Sequence, residues 1–314
     1  MVGRTVLAFG GNAIAPDGAG TAAQQTERLW STMRQVADLV AEGLTQLVLT
    51  HGNGPQVGNV LIKNELAKDV VPPVPLDWCV AQTQATIGFT IADTLAFELA
   101  QRGIDRPVVP VVSRVLVDVD DPGFTAPSKP IGPWLHDEAE VQRRTEGGLA
   151  FLHDPDRGWR RLVASPEPRR SVDRPAVELL LDDGAIVVAN GGGGIPVVDD
   201  GHGPLRGVEA VIDKDLAGAL LAEEIGADSF AILTDVPGVA VDFGTPDQRW
   251  LGTVTVTELR GYAADGQFGA GSMGPKVAAA CRFVERTGSR AVIAALGDVV
   301  AAVRGRAGTQ VVPG

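Results

Sequence analysis

A chain of 314 residues, 45% hydrophobic and 21% charged, has material for one large α/β unit or two smaller domains. Its formal net charge of −12 argues against nucleic acid or an anionic membrane as partner, since both call for a basic surface. Two cysteines, Cys79 and Cys281, without CxxC or Cys/His spacing, exclude a disulfide framework and a zinc site, and predict a reducing, cytoplasmic setting. No apolar run reaches the roughly 18 residues of a membrane span, and the run at 6–9 is too short for a signal-peptide core.

In chain order, a buried strand is predicted at 5–9, a helix at 22–42, a strand at 46–50, a helix at 84–102 and a strand at 108–112. A segment at about 118–173, rich in Pro, Arg and acidic residues, interrupts the alternation and reads as an inserted subdomain or lid, with short paired strands around 158–163. The pattern then resumes with a strand at 185–189, a helix at 214–225, a strand at 229–234, a helix at 276–287 and a strand at 290–294. The strands are short, apolar on both faces and bounded by Gly, Asn or Pro, as in a parallel sheet covered by helices. In the helix at 214–225, Leu216, Leu220, Leu221 and Ile225 share one stripe, Asp213 suits the N-cap and Gly226 the C′ position. No internal repeat or low-complexity tract is present.

Glycine clusters are expected just after strands in four places: Gly10-Gly11-Asn12, Gly52-Asn53-Gly54, Asn190–Gly194 and Gly269–Gly274. Open parallel sheets bind ligands outside the carboxyl ends of their strands, where glycine lets backbone N–H groups approach a phosphate or carboxylate. One such cluster alone is compatible with a tight turn; several at successive strand ends point to an anion site. No GxGxxG opens a βαβ unit. The segment from Gly269 to Lys276 has Walker-like glycine spacing but ends Pro275-Lys276-Val277, which removes the hydroxyl that would hold Mg²⁺. Pro275 suits the first turn of a helix, and Lys276 then sits beside helix N-terminal donors.

Of the 27 basic residues, 22 are Arg and five are Lys. Against that bias, Lys129, Lys214 and Lys276 lie in unusual contexts, flanked by Ser128 and Pro130, by Asp213 and Asp215, and by Pro275. An ammonium on a flexible stem can follow a migrating phosphoryl group, whereas a guanidinium prefers a fixed bidentate partner. Lys63 and Lys68 read as a solvated helix face. Asp215 suits a helix first turn and, alternatively, a carboxylate that orients lysines around phosphates. His51 reads as structural, because an acceptor that is already ionised needs no base.

The segments 8–13, 50–58 and 75–77, Ser128-Lys129-Pro130-Ile131-Gly132-Pro133, 165–168, 190–196, 211–217, 233–236, 266–268 and 271–276 together resemble the carbamate kinases, in family order over nearly the whole chain. The resemblance implies a three-layer α/β/α sandwich of the amino acid kinase type, with a protruding subdomain at about 120–164 and a homodimer formed through N-terminal helices. It also implies reversible phosphoryl transfer between ATP and carbamate, giving ADP and carbamoyl phosphate. The N-terminal half would bind the acceptor and the C-terminal half ATP, with Mg²⁺ held mainly by phosphates and water and no dedicated protein metal site. By this resemblance, Gly10, Gly11, Asn12, Gly52 and Asn53 cradle the acceptor and transferring phosphoryl group. Lys129 reaches the acceptor, Lys214 and Lys276 contact phosphates, and Asp215 positions the lysines. Thr234, Asp235, Val236, Gly238, Met273 and Pro275 border the nucleotide. The chain departs from the family at Ala240, where relatives often carry Tyr, and at 78–84, which has fewer Gly and Met residues. Two other readings are a kinase for another small carboxylate or carbamate-like acceptor, and a nucleotide sensor without catalysis; retention of Lys129, Lys214, Asp215 and Lys276 speaks against the second.

Overall fold

The computed structural model describes residues 3–10, 14, 20–269 and 271–314. Its central sheet has eight strands in the order Thr253–Thr255, Thr309–Val312, Arg290–Ala295, Ser229–Thr234, Thr5–Phe9, Leu47–His51, Ile186–Val188 and Val108–Pro110. Neighbours are parallel throughout, except that Arg290–Ala295 and Thr309–Val312 run antiparallel.

Alternation along each strand sorts side chains into two cores. Val6, Ala8, Val48, Val187, Phe230 and Ile232 face one side, where the helices Arg174–Asp182, Lys214–Glu224, Val256–Ala264 and Met273–Thr287 supply Leu181, Leu221, Leu259 and Phe283. Leu7, Phe9, Leu49, Val188 and Leu233 face the other, against Met33, Ile91, Leu95 and Val303 of the helices Ala22–Ala41, Leu76–Gln101 and Val299–Val303. The fold is therefore the three-layer α/β/α sandwich, and strands apolar on both faces are its direct consequence.

Boundaries move where tertiary packing outweighs local pattern. The helix expected to begin at 84 begins at Leu76, after Pro75 as N-cap, because Cys79, Val80 and Thr83 are buried on one side of a Gln/Thr-rich stretch with little amphipathic contrast. The helix expected from 276 begins at Met273, so Pro275 is its third residue, and the glycine cluster that opens at Gly269 follows the helix Val256–Ala264 rather than a strand. A helix at Gly54–Ala67, which the glycine-rich sequence at 52–54 concealed, opens with Pro55 in its first turn. The strand expected at 108–112 is confined to Val108–Pro110.

Between the antiparallel strands Arg114–Val117 and Pro168–Ser171 the chain leaves the sandwich. It forms a separate three-stranded sheet, with Gly158–Val163 between Lys129–Leu135 and Ala150–Asp154, and the helix Glu138–Glu146. This sheet is seated on the Gly54–Ala67 helix by direct backbone contact. A Cβ at Gly58 would lie 2.0 Å from Cα of Gly132, so a side chain there would push the two apart. Beside it, Arg144 Nη1 pairs with Glu65 Oε2 at 2.9 Å, and Arg160 Nε donates to the Gly132 carbonyl at 2.9 Å. No described helix is long and apolar enough to cross a membrane.

His51 ends its strand 1% exposed, donating from Nδ1 to the Gly52 carbonyl at 3.2 Å. Burial pushes its pKa down to about 4, the Gly52 hydrogen bond opposes this, and the Lys214 charge adds to it. The folded protein thus excludes a proton that the unfolded chain takes up below about pH 6.5, so stability is full above that pH and falls toward pH 4, by up to about 3 kcal/mol. We predict that His51→Gln flattens the acid limb of the melting temperature between about pH 6.5 and 4 relative to wild type. Parallel profiles would contradict a buried neutral imidazole.

Candidate active site

Because the inner strands are parallel, their carboxyl ends lie on one edge, and the loops that follow them converge there. Gly10 follows Thr5–Phe9, and Gly52 is tied to that strand by its N–H to the Phe9 carbonyl at 2.9 Å. Asn53 is 2% exposed and donates from Nδ2 to Thr83 Oγ1 at 2.8 Å. After Ile186–Val188, Asn190 turns the chain in the left-handed region, φ 50°, into the 3-10 turn Gly191–Gly193. This turn is held from several directions. Asn190 Nδ2 donates to Ser171 Oγ at 2.9 Å, Asn190 N–H to Ser113 Oγ at 3.0 Å, and Thr50 Oγ1 to the Asn190 carbonyl at 3.1 Å. Gln84 in turn grips both backbone groups of Ser113, at 2.8 and 3.0 Å.

Glycine is required in this turn by close approach as well as by backbone angle. A Cβ at Gly191 would lie 2.3 Å from His51 Nε2, one at Gly192 2.2 Å from Asn53 Nδ2, and one at Gly193 2.4 Å from the Ile212 carbonyl. The turn is thus the junction through which the 51–53 loop and the segment leading into the Lys214–Glu224 helix meet.

At the start of that helix stand the charges. Asp213 is the N-cap: its Oδ1 accepts from Asp215 N–H at 2.9 Å and Leu216 N–H at 3.2 Å, as the sequence suggested, and Gly226 closes the far end at φ 63°. Lys214 Nζ donates to Asp215 Oδ1, and Lys276 Nζ reaches Asp215 Oδ2 at 3.2 Å. From the inserted sheet, Lys129 Nζ pairs with Asp213 Oδ2 at 2.5 Å. Four of the sequence candidates, Lys129, Lys214, Asp215 and Lys276, therefore occupy one cluster. Asp213, which the sequence marked only as a helix cap, is its fifth member. Three ammonium groups against two carboxylates leave one positive charge in a chain that is strongly negative overall.

Burial makes these charges strongly interdependent. Burial alone would depress the Lys129 ammonium, but the Asp213 carboxylate outweighs it and holds its pKa above the ordinary lysine value. Desolvation likewise favours the neutral acid at Asp213, and Lys129 overcomes it, holding the carboxyl well below its usual range. Lys214 moves the other way. Its burial lowers its pKa, Asp215 opposes this, and the nearby Lys276 charge adds to the lowering.

The remaining candidates are placed less directly. Thr234 ends the strand Ser229–Thr234 beside Thr5–Phe9, with its Oγ1 donating to Asp235 Oδ1 at 3.0 Å; Asp235 is exposed and Val236 half-buried. Gly238 has a packing reason of its own, since a Cβ there would lie 2.7 Å from Thr309 Oγ1. Met273 and Pro275 sit in the first turn of the helix that carries Lys276. Gly11 and Asn12 lie outside the described residues. Among the described residues, no three His, Cys, Asp or Glu side chains cluster to hold a metal, and both carboxylates of the site are engaged by lysines. The grip of Gln84 and Ser113 on the Asn190 turn was not anticipated, since its partners are remote in sequence and individually unremarkable.

The model of the amino acid kinase family matches residues 3–295. A carbamate kinase of Thermococcus kodakarensis is 49% identical over 312 residues, which covers 98% of this chain and 99% of that relative. Among solved structures, a protein of Aeropyrum pernix is 46% identical with a TM-score of 0.92, covering 99% of this chain and 100% of its own. The carbamate kinase of Giardia lamblia bound to AMP-PNP is 35% identical with a TM-score of 0.88, covering 99% of this chain and 98% of its own. Matched from end to end by such relatives, the chain belongs to the amino acid kinase family, among the carbamate kinases.

Proposed function

We propose that this protein is an ATP-dependent carbamate kinase, catalysing reversible phosphoryl transfer between Mg-ATP and carbamate to give ADP and carbamoyl phosphate. The observation that carries this reading is the cluster of Lys129, Lys214 and Lys276 on Asp213 and Asp215, where the glycine-rich strand-end loops meet. The N-terminal half, through Gly10, Gly52 and Asn53, and with Gly11 and Asn12 by family resemblance, receives the acceptor. The C-terminal half, with Thr234, Asp235, Val236, Gly238, Met273 and Pro275 along its rim, receives the nucleotide. The insertion at about 120–164 brings Lys129 over the acceptor.

In the forward direction a carbamate oxygen attacks the γ-phosphorus, and the bond from that phosphorus to the β,γ-bridging oxygen breaks, leaving its electron pair on ADP. Carbamate is already an anion, so no proton is removed, and the buried neutral His51 has no acid–base task. What the protein supplies is position and stabilisation of spreading negative charge. Lys214 and Lys276 face the phosphates and Lys129 the acceptor side, each held in place by a carboxylate before substrate arrives. Among the described residues no cluster of carboxylates stands ready to hold a metal, so Mg²⁺ would enter as part of the nucleotide substrate and offset part of the phosphate charge.

A homodimer fits the surface. The Leu76–Gln101 helix exposes Trp78, Phe89 and Phe97, at 61, 55 and 50%, along its outer face, an apolar load that a second copy would cover. The cytoplasm, where ATP and ADP are abundant and the buried free thiols of Cys79 and Cys281 stay reduced, is the matching compartment.

Incubation with Mg-ADP and carbamoyl phosphate should yield ATP. No ATP, with turnover of another small acid, would overturn the assignment of carbamate. Lys214→Ala and Lys276→Ala should each lower kcat by about 10²-fold or more in a protein that still folds, and an unchanged rate would refute their role. Sedimentation of wild type should give a dimer and of the Phe89→Asp, Phe97→Asp double variant a monomer; the same species for both would refute the interface.

A further inference from the structure

The inserted sheet reaches the lysine–aspartate cluster through Lys129, a side chain that no helix of the sandwich carries, and that side chain ends on Asp213, 84 residues away in sequence. Asp213 divides its two oxygens between two tasks. Oδ1 caps the Lys214–Glu224 helix through the Asp215 and Leu216 amides, and Oδ2 takes the Lys129 ammonium. Both side chains are largely withdrawn from water, with Lys129 26% and Asp213 13% exposed. A lysine carries about 2 kcal/mol of side-chain rotamer entropy, so an untethered ammonium at the end of this stem would sample many positions.

The carboxylate also sits in register with the rest of the cluster. Asp215 holds Lys214 and Lys276, and Asp213, two residues earlier on the same helix start, holds Lys129. The strand that carries Lys129 is fixed at a second point by the Gly58–Gly132 backbone contact, and Pro130 stands next to Gly54, with its carbonyl 3.8 Å from where a Gly54 Cβ would be. Two anchors, one steric and one ionic, thus define where the Lys129 ammonium stands relative to the 52–54 loop and the helix start.

We propose that Asp213 is the positioning residue for Lys129: a single carboxylate couples the inserted sheet to the helix start that carries Lys214 and Asp215, and presets the acceptor-side ammonium before substrate binds. Asp213 itself touches neither substrate. The proposal rests on the phosphotransferase reading above for its catalytic consequence, but the tether is a property of the substrate-free protein.

The substitution Asp213→Asn tests it, because an amide oxygen still caps the helix while the second position becomes an NH₂ group that cannot accept from Lys129. Asp213→Ser, also a capping residue, serves as the second variant should the first fail to fold. In the ATP-forming direction either variant should lower kcat by about 10- to 100-fold, or raise KM for carbamoyl phosphate to a similar extent, while KM for Mg-ADP moves by less than about threefold. In a Lys129→Ala background the same substitution should cause no further loss, since its partner is already gone. Equal loss in both backgrounds, or an effect shared equally by both substrates, would reduce Asp213 to a helix cap and overturn the proposal. Amide hydrogen exchange of the substrate-free protein gives an independent reading. Exchange in residues 129–163 should rise in Asp213→Asn and in Lys129→Ala, with the amides of Asp215 and Leu216 still protected; unchanged exchange at 129–163 would also overturn it. Absence of ATP formation by wild type, with exchange responding as expected, would instead count against the kinase reading and leave the tether standing.

Discussion

Asp215, with a side chain only 3% exposed and two lysines on its oxygens, is the constraint on which the rest of this site depends. Placing an ion cluster at that depth is not a means of stabilising a fold. Desolvation of each charge offsets most of the Coulomb gain, and removing one member typically costs about 3–5 kcal/mol because the others are left unpaired. What the arrangement secures is preorganisation. The ammonium groups are stripped of most of their water and held in place by carboxylates, so under the proposed function little reorganisation would remain for the reaction step.

That cluster can exist only because the surrounding backbone leaves room for it. Parallel strands bring the loops after Thr5–Phe9, Leu47–His51, Ile186–Val188 and Ser229–Thr234 to one edge. The Asn190 turn then allows the loops to touch, since Gly191, Gly192 and Gly193 each face a neighbour that a methyl group would strike. Asn190 accepts a left-handed backbone to start this turn, and its hydrogen bonds with Thr50, which donates, and with Ser113 and Ser171, which accept, hold it there. A neutral, buried His51 belongs to the same packing: charged, it would add a fourth cation close to Lys214, with no carboxylate of its own.

Much of this was legible from local chemistry. Strands apolar on both faces announced a covered parallel sheet, and the Lys214–Glu224 helix was readable from Asp213 at one end to Gly226 at the other. The Arg bias of the chain singled out Lys129, Lys214 and Lys276; those three meet at two aspartates, while Lys63, on the Gly54–Ala67 helix, and Lys68, just past its end, are exposed. What was not legible was tertiary. The start of the Leu76–Gln101 helix is decided by burial of Cys79 and Val80 rather than by a strong amphipathic pattern. The pairing of Lys129 with Asp213 spans 84 residues, and Gly238 answers to the Thr309 hydroxyl, a neighbour that no local motif reveals.

The net charge of −12 decides how such a site must work. At physiological salt the field of exposed charges fades within about 8 Å, so the acidic surface neither steers a polyphosphate inward nor repels it from afar. Affinity has to come from short-range donors, namely the lysines and the amides of the glycine-rich loops. With only one net positive charge in the cluster, those donors cannot neutralise a bare nucleotide triphosphate. Under the proposed function they suit one whose charge a divalent ion has already reduced. Further cations that bound the ground states and the transition state equally would tighten binding without raising kcat. The pairing of every ammonium with a carboxylate is consistent with a reaction that has to run in either direction.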